Sequence, residues 1–183
     1  MKKFIEYLYI FLSRKKVFRK PRKAKILVYD RTGYEDISSY FDKNNLEIFD
    51  KRNEINLYVL ALSVLKFQFD IESYKKIYLN LVDPEIAVTF IDNDRGFYNL
   101  KKINSKIKTI FIQNGYRNNK HNDIFVYFER NKLNNISFNV DYMLCFGDAI
   151  GKKYQEYIRG EFLTIGSLRN NKSGSSAGTS LSQ

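Results

Sequence analysis

The sequence predicts an α/β fold whose mainly parallel sheet carries helices on both faces. Three observations lead there. Six short apolar runs of strand length recur along the 183 residues, the segments between them carry helical spacing, and every run ends at an acid, an amide or a glycine. Continuous apolar runs suit strands buried on both faces, as in a parallel sheet covered by helices. Such sheets bind ligands in the crevice beyond the carboxyl ends of their strands, which is where the polar and glycine residues would gather. Each of these residues also has a plainer account, since Asp, Asn and Gly cap helices and make turns.

The first strand is Ile26-Leu27-Val28-Tyr29, ending at Asp30, and a short helix follows over Gly33 to Phe41. Leu46-Glu47-Ile48-Phe49 ends at Asp50. The next segment, Asn56 to Phe67, is apolar nearly all round, as in a deeply packed helix. Asp70 is placed to cap a helix on which Ile71, Tyr74, Ile77, Tyr78 and Leu81 recur at helical spacing. That helix should stop before Pro84, because the residue ahead of a proline disfavours helical torsions.

Ile86 to Ile91 forms the third strand and ends at Asp92-Asn93, after which Asp94 starts an amphipathic segment with Phe97 and Leu100. Thr109-Ile110-Phe111-Ile112 ends at Gln113-Asn114-Gly115. From Asn114 to Asn139 the rhythm breaks into a long polar excursion, interrupted by Ile124-Phe125-Val126-Tyr127-Phe128. A stretch of that length reads as a functional or partly structured loop. Tyr142 to Phe146 is the fifth strand, and Asp148 caps a helix burying Ile150, Tyr154, Tyr157 and Ile158. Phe162 to Ile165 ends at Gly166-Ser167.

Three regions follow from composition: a basic amphipathic arm over 1–25, one α/β domain over 26–171, and a flexible Ser/Gly-rich tail over 172–183. The formal net charge of +11 is uneven. Residues 1–25 hold ten Lys or Arg against Glu6, leaving +2 for the rest, so the domain itself lacks the basic stripe of a nucleic-acid binder. The arm's apolar segment, Phe4 to Leu12, is too short to span a bilayer, which needs about 20 residues. An aromatic helix followed by clustered cations can instead lie on an anionic membrane surface, or pack on the protein beside a solvated linker.

Cys145 lies in an apolar run and reads as a buried, inert thiol, and His121 as a solvated loop residue. No zinc-ligand spacing exists, and no metal site is expected. There is no Gly-x-Gly-x-x-Gly after the first strand, where Asp30-Arg31-Thr32-Gly33 stands, and no Walker-type loop.

The best local candidate for binding is Gln113-Asn114-Gly115-Tyr116-Arg117. Gly115 would turn the backbone at positive φ and let a ligand approach. Gln113 and Asn114 suit sugar hydroxyls, Tyr116 can stack, and Arg117 suits a carboxylate or phosphate. Read as a surface residue, Arg117 should change stability by less than about 0.5 kcal/mol when truncated. Asp92 and Asn93 offer a second candidate, with Asp92 as a general base or hydroxyl ligand. Gly166 and Ser167 form a third, and Gly33 lies in the turn after the first strand.

The segments Lys25 to Gly33, Thr89 to Asn93, Phe111 to Arg117, Ala149 to Tyr154 and Ile165 to Ser167 occur here in an order that resembles a bacterial family of surface carbohydrate biosynthesis proteins, which is glycosyltransferase-like. The resemblance covers residues 24–171, and its most specific element is Gln113-Asn114-Gly115-Tyr116-Arg117. It implies a Rossmann-like, doubly wound domain, the N-terminal half of a GT-B type fold, in surface polysaccharide or lipopolysaccharide assembly. It also implies transfer of sugar from a nucleotide-activated donor to a lipid-linked or glycan acceptor, with no cofactor beyond that donor. Asp92 would be the base, and Gly33, Asn93, Gln113, Asn114, Gly115, Tyr116, Arg117, Gly166 and Ser167 would line the substrate site.

Family members look about twice as long, so the chain is expected to be truncated and inactive alone. The expected location is the cytoplasm, peripheral on the inner face of the membrane. Two other readings stand beside this one: a non-catalytic glycan- or phosphate-binding module, and a membrane-surface interaction protein.

Overall fold

The computed structural model describes residues 11–117, 123–168 and 170. Its strands are β1 (Lys15–Val17), β2 (Ile26–Tyr29), β3 (Leu46–Phe49), β4 (Glu54–Asn56), β5 (Ile86–Thr89), β6 (Lys108–Ile112), β7 (Phe138–Cys145) and β8 (Ile158–Thr164). The helices are α1 (Tyr34–Ser38), α2 (Leu57–Leu65), α3 (Ile71–Val82), α4 (Arg95–Tyr98), α5 (Leu100–Ile103), α6 (Asp123–Leu133) and α7 (Asp148–Gln155). Six strands form one sheet in the order β3-β2-β5-β6-β7-β8, with every pair parallel. This is the Rossmann-like, doubly wound α/β architecture. The chain steps from β2 out to β3, then returns to the other side of β2 at β5. The reversal leaves a crevice beyond the carboxyl ends of β2 and β5.

Alternate side chains of each strand feed two cores. Leu27, Tyr29, Ala87, Phe111 and Met143 face helices α2 to α7, where Val59, Tyr78, Phe97, Phe128 and Tyr154 close the packing. Ile26, Val28, Val88, Phe90 and Ile112 face the opposite side and meet Ile37 of α1 and the half-buried Leu168. Burying each large apolar side chain contributes about 1.5–3 kcal/mol, so the helix-rich face dominates the stabilisation.

The caps of α2 and α3 follow residue chemistry. The Asn56 side chain accepts the Val59 N–H at 3.1 Å, and Asp70 accepts the Ser73 N–H at 2.9 Å. Asp148, expected as a cap, instead starts α7 after Gly147 and accepts the Thr164 hydroxyl.

The excursion after Asn114 contains a helix rather than a loop. In α6 the run from Ile124 to Phe128 puts Ile124, Phe125 and Phe128 into the core while Val126 is exposed. The core demands those three positions, and i, i+1, i+4 spacing on one face meets that demand where a strand would not. Strands β7 and β8 also begin earlier than their apolar runs suggest. In β7 the pairing with β8 shifts register between Asn139 and Tyr142. At the irregularity Asp141 Oδ2 accepts the Thr109 N–H at 2.8 Å and the Thr109 hydroxyl at 2.9 Å, and Lys101 pairs with the same carboxylate.

The basic segment after residue 10 is built into the domain. β1 pairs with β4, Arg19 pairs with the buried Glu47, and Arg22 Nη2 donates to the carbonyls of Lys43 and Leu46 at 2.8 and 2.7 Å. The buried carboxylate of Glu47 requires a cation, which draws this part of the expected arm onto the edge strand. The apolar part of the arm before residue 11, His121 and the tail from 172 lie outside the described residues. Among the described residues no helix is long and apolar enough to cross a membrane.

Candidate functional site

The segments leaving β2, β3, β5 and β6 share the carboxyl edge of the sheet. Asp30 follows β2 with φ +85°, a left-handed torsion that costs a non-glycine residue on the order of 1–3 kcal/mol. Its Oδ1 recovers part of this by accepting the Thr32 N–H at 3.1 Å and the Thr32 hydroxyl at 3.0 Å. Its Oδ2 lies 3.2 Å from Arg52 Nε, after β3, without a hydrogen-bond alignment.

Asp50 accepts from Arg31 Nε at 3.2 Å and from Asn53. Asp94 both caps α4 through the Gly96 N–H at 2.8 Å and takes Lys51 Nζ at 2.6 Å. Asp92 Oδ2 accepts from Arg117 through Nε at 2.8 Å and through Nη2, and from the Tyr154 hydroxyl at 2.9 Å.

Four acids therefore sit beneath four cations. The side chains of Asp30, Asp50, Asp92 and Asp94 are 3, 1, 8 and 4% exposed, while those of Arg52, Arg31, Arg117 and Lys51 are 47, 57, 23 and 28% exposed. Buried carboxylates need paired charge, and here the pairing leaves the positive partners outermost. For Arg117, burial opposes the charge, but Asp92 and the Tyr154 hydroxyl outweigh it and hold the guanidinium above its usual value. Burial raises the Tyr154 hydroxyl, reinforced by the Asp92 charge, so that it stays a proton donor to Asp92 at neutral pH.

The structure separates the residues singled out from sequence. Gln113 is buried, donating from Nε2 to the Gly115 carbonyl at 2.9 Å and accepting the Phe146 N–H at 2.9 Å, so its amide ties the turn after β6 to the end of β7. Gly115 does not take a positive φ; open space surrounds it, with Arg117 Nη1 3.9 Å from where a Cβ would lie. Tyr116 is exposed, as is Asn93, while Asn114 is half-buried.

Gly33 has φ +79°, and the space its Cβ would fill is occupied by the Phe90 ring at 2.3 Å. Its left-handed turn serves the contact between α1 and the end of β5. Gly166, φ +68°, and the half-buried Ser167 follow β8 at the sheet edge, three strands from β5. Burial pushes the Cys145 thiol up to about 11, which keeps it protonated and inert. No group of three or more His, Cys, Asp or Glu placed to hold a metal occurs among the described residues.

Lys51, Arg52 and Tyr154 are site residues that the sequence reading does not single out. Lys51 and Arg52 directly follow the strand stop at Asp50, a local signal, but Tyr154 has the spacing of an ordinary core position on α7. Its contact with Asp92 spans 62 residues and has no local signature.

Comparison with known proteins adds one finding. A family model described as putative O-antigen biosynthesis protein matches residues 110–182, from within β6 through the Gln113–Arg117 turn and α7 to the end of β8 and beyond. This similarity associates the chain with surface carbohydrate biosynthesis. No curated protein and no protein of solved structure matches it.

Proposed function

We propose that the domain binds a nucleotide-activated sugar at the carboxyl edge of its sheet and takes part in sugar transfer during surface polysaccharide assembly. The observation that carries this reading is the rim of Arg31, Lys51, Arg52 and Arg117 over buried carboxylates at a topological switch point. A diphosphate is the ligand that such a rim suits, because paired cations held in a fixed arrangement meet its oxygens with little ordering cost. The similarity to O-antigen biosynthesis proteins over residues 110–182 supports the sugar part of the assignment.

In this reading Arg117 contacts the donor's phosphate, and Asn93, Asn114 and Ser167 are the candidates for hydroxyl contacts. Asp92 Oδ2 already receives donors from Arg117 and Tyr154, which favours a positioning role over that of a free base. The GT-B architecture implied by resemblance remains part of the proposal: a second domain would close the cleft from above. The commitment of Asp92 also suits a module that binds a phosphorylated glycan without transferring sugar.

Calorimetric titration with a panel of nucleotide-sugars and their nucleoside diphosphates tests binding. A ligand in the micromolar to millimolar range, weakened at least tenfold by Arg31→Gln, is the expected result. Absence of binding by every nucleotide and nucleotide-sugar would overturn the reading. Nucleotide release in the presence of acceptor separates transfer from binding alone.

A further inference from the structure

A large cavity lies beside this rim. It has a volume of about 700 Å³ between the end of β3, β4, α2 and the first turns of α3. Its walls are mainly apolar, with Phe49, Ile55, Leu60, Val64, Phe69 and Ile71 as the principal surfaces. Three of these are well exposed, Val64 at 49%, Phe69 at 68% and Ile71 at 51%, so the lip as well as the floor is apolar. Phe67 stands in the same connection between α2 and α3, 84% exposed and with φ +55°. A bulky aromatic held in a left-handed torsion and in water is costly on both counts.

The opposite wall is charged. Lys51, Arg52 and Arg14 line it together with Glu54, Asp70 and Asp94, and so does Lys75 from the first turns of α3; Lys51 is held by Asp94 at 2.6 Å. Lys75 is only 7% exposed, and it makes no ion pair with another described residue. Burial lowers its pKa, and the nearby Lys51 charge adds to that, with Asp94 and Glu72 only partly offsetting. Lys75 thus offers the cavity a mostly covered cation that makes no ion pair, and the space beside it can take an anion. The apolar walls and the buried lysine together specify an amphiphile.

We propose that this cavity binds a single-chain lipid phosphate, with its hydrocarbon chain along Phe49, Leu60, Val64 and Phe69 and its phosphate at Lys75 and Lys51. Assigning that lipid to the acceptor side of the reaction rests on the sugar-transfer reading; the binding site itself does not. The geometry suits that role, because Lys51 and Arg52 belong both to the cavity wall and to the cationic rim. A lipid head at Lys51 would therefore lie next to a donor phosphate held at the strand ends.

The test uses the full chain and three probes below their aggregation concentrations: dodecyl phosphate, dodecanol and inorganic phosphate. Dodecyl phosphate should bind at least tenfold more tightly than either of the others. Lys75→Met, which keeps the length and removes the charge, should erase the preference over dodecanol while leaving the thermal midpoint equal or higher. Leu60→Trp should weaken both chain-bearing probes by filling the cavity.

Inorganic phosphate binding as well as dodecyl phosphate would reduce the site to an anion site and overturn the proposal. So would an undiminished phosphate preference in a folded Lys75→Met. Binding that appears only after residues 1–10 are deleted would make the chain's own arm the occupant and also overturn it. No donor is present in these measurements, so a failure of sugar transfer leaves their outcome intact.

Discussion

Arg117, five residues beyond the end of β6, reaches back to Asp92 beyond the end of the neighbouring β5, and its Nε donates to Oδ2 at 2.8 Å. The pair joins two neighbouring strand ends and is completed by the Tyr154 hydroxyl. Truncating Arg117 leaves an 8% exposed carboxylate with Tyr154 alone, so Arg117→Ala should cost roughly 2–3 kcal/mol, well above the 0.5 kcal/mol expected of a surface residue. Urea unfolding decides between the two. Pairing it with Asp92→Asn in a double-mutant cycle should show coupling above about 1 kcal/mol. Additive losses would mean that the two residues act separately.

The turn after β2 depends on the absence of a side chain at position 33. Gly33→Ala would place a methyl against the Phe90 ring and force a left-handed torsion on alanine. A loss of about 1–3 kcal/mol is expected, and Phe90→Leu in the same chain should recover part of it. Thermal or chemical unfolding of the single and double variants checks this. A neutral Gly33→Ala would show that α1 moves freely relative to β5.

Asp141 makes part of the stability acid-sensitive. Burial raises its pKa, but the Lys101 contact and the two Thr109 donors outweigh this and hold it below the usual carboxylate value. A depressed folded pKa contributes stability that is present above the unfolded value of about 3.9 and is lost as pH falls through the folded one. Asp141→Asn should therefore be less stable than the parent at pH 7, and the two should converge below about pH 4. Urea curves across that range would refute the charge argument if the gap stayed constant.

Membrane association of the N-terminal segment can be tested without breaking the fold. Deleting 1–25 would remove β1 and the Arg19–Glu47 pair, so loss of binding in that variant would be uninformative. Deleting 1–10, or replacing the exposed Lys16, Lys20 and Lys23 by Gln, spares both. Each cation near an anionic surface contributes about 1 kcal/mol. Co-sedimentation with phosphatidylglycerol vesicles should fall in both variants and in rising salt, whereas phosphatidylcholine vesicles should bind little throughout. Equal binding by parent and variants would remove the arm from the account.

The sequence by itself determined the fold class and the central strands. The cores of β2, β3, β5 and β6 are mainly apolar runs bounded by polar stops, the composition that strands buried on both faces favour. It also determined where α2 and α3 begin, because Asn56 and Asp70 meet their caps within three residues. The turn from Gln113 to Arg117 was legible as a place of interest for the same local reason.

Only the tertiary structure decided what those residues do. Gln113 became a strap between loops, Gly33 a seat for Phe90, and Asp92 the holder of Arg117, since each meaning depends on a partner brought close by folding. Strand order was likewise unreadable, and with it the crevice between β2 and β5, because pairing is a long-range choice made by the whole core. The run from Ile124 to Phe128 shows the limit most plainly. Five apolar residues fit a strand or a helix equally well, and burial of Ile124, Phe125 and Phe128 on one face selected the helix. Lys75 carried no signal either: one lysine among the cations of a helix is ordinary until packing encloses it in the wall of a cavity.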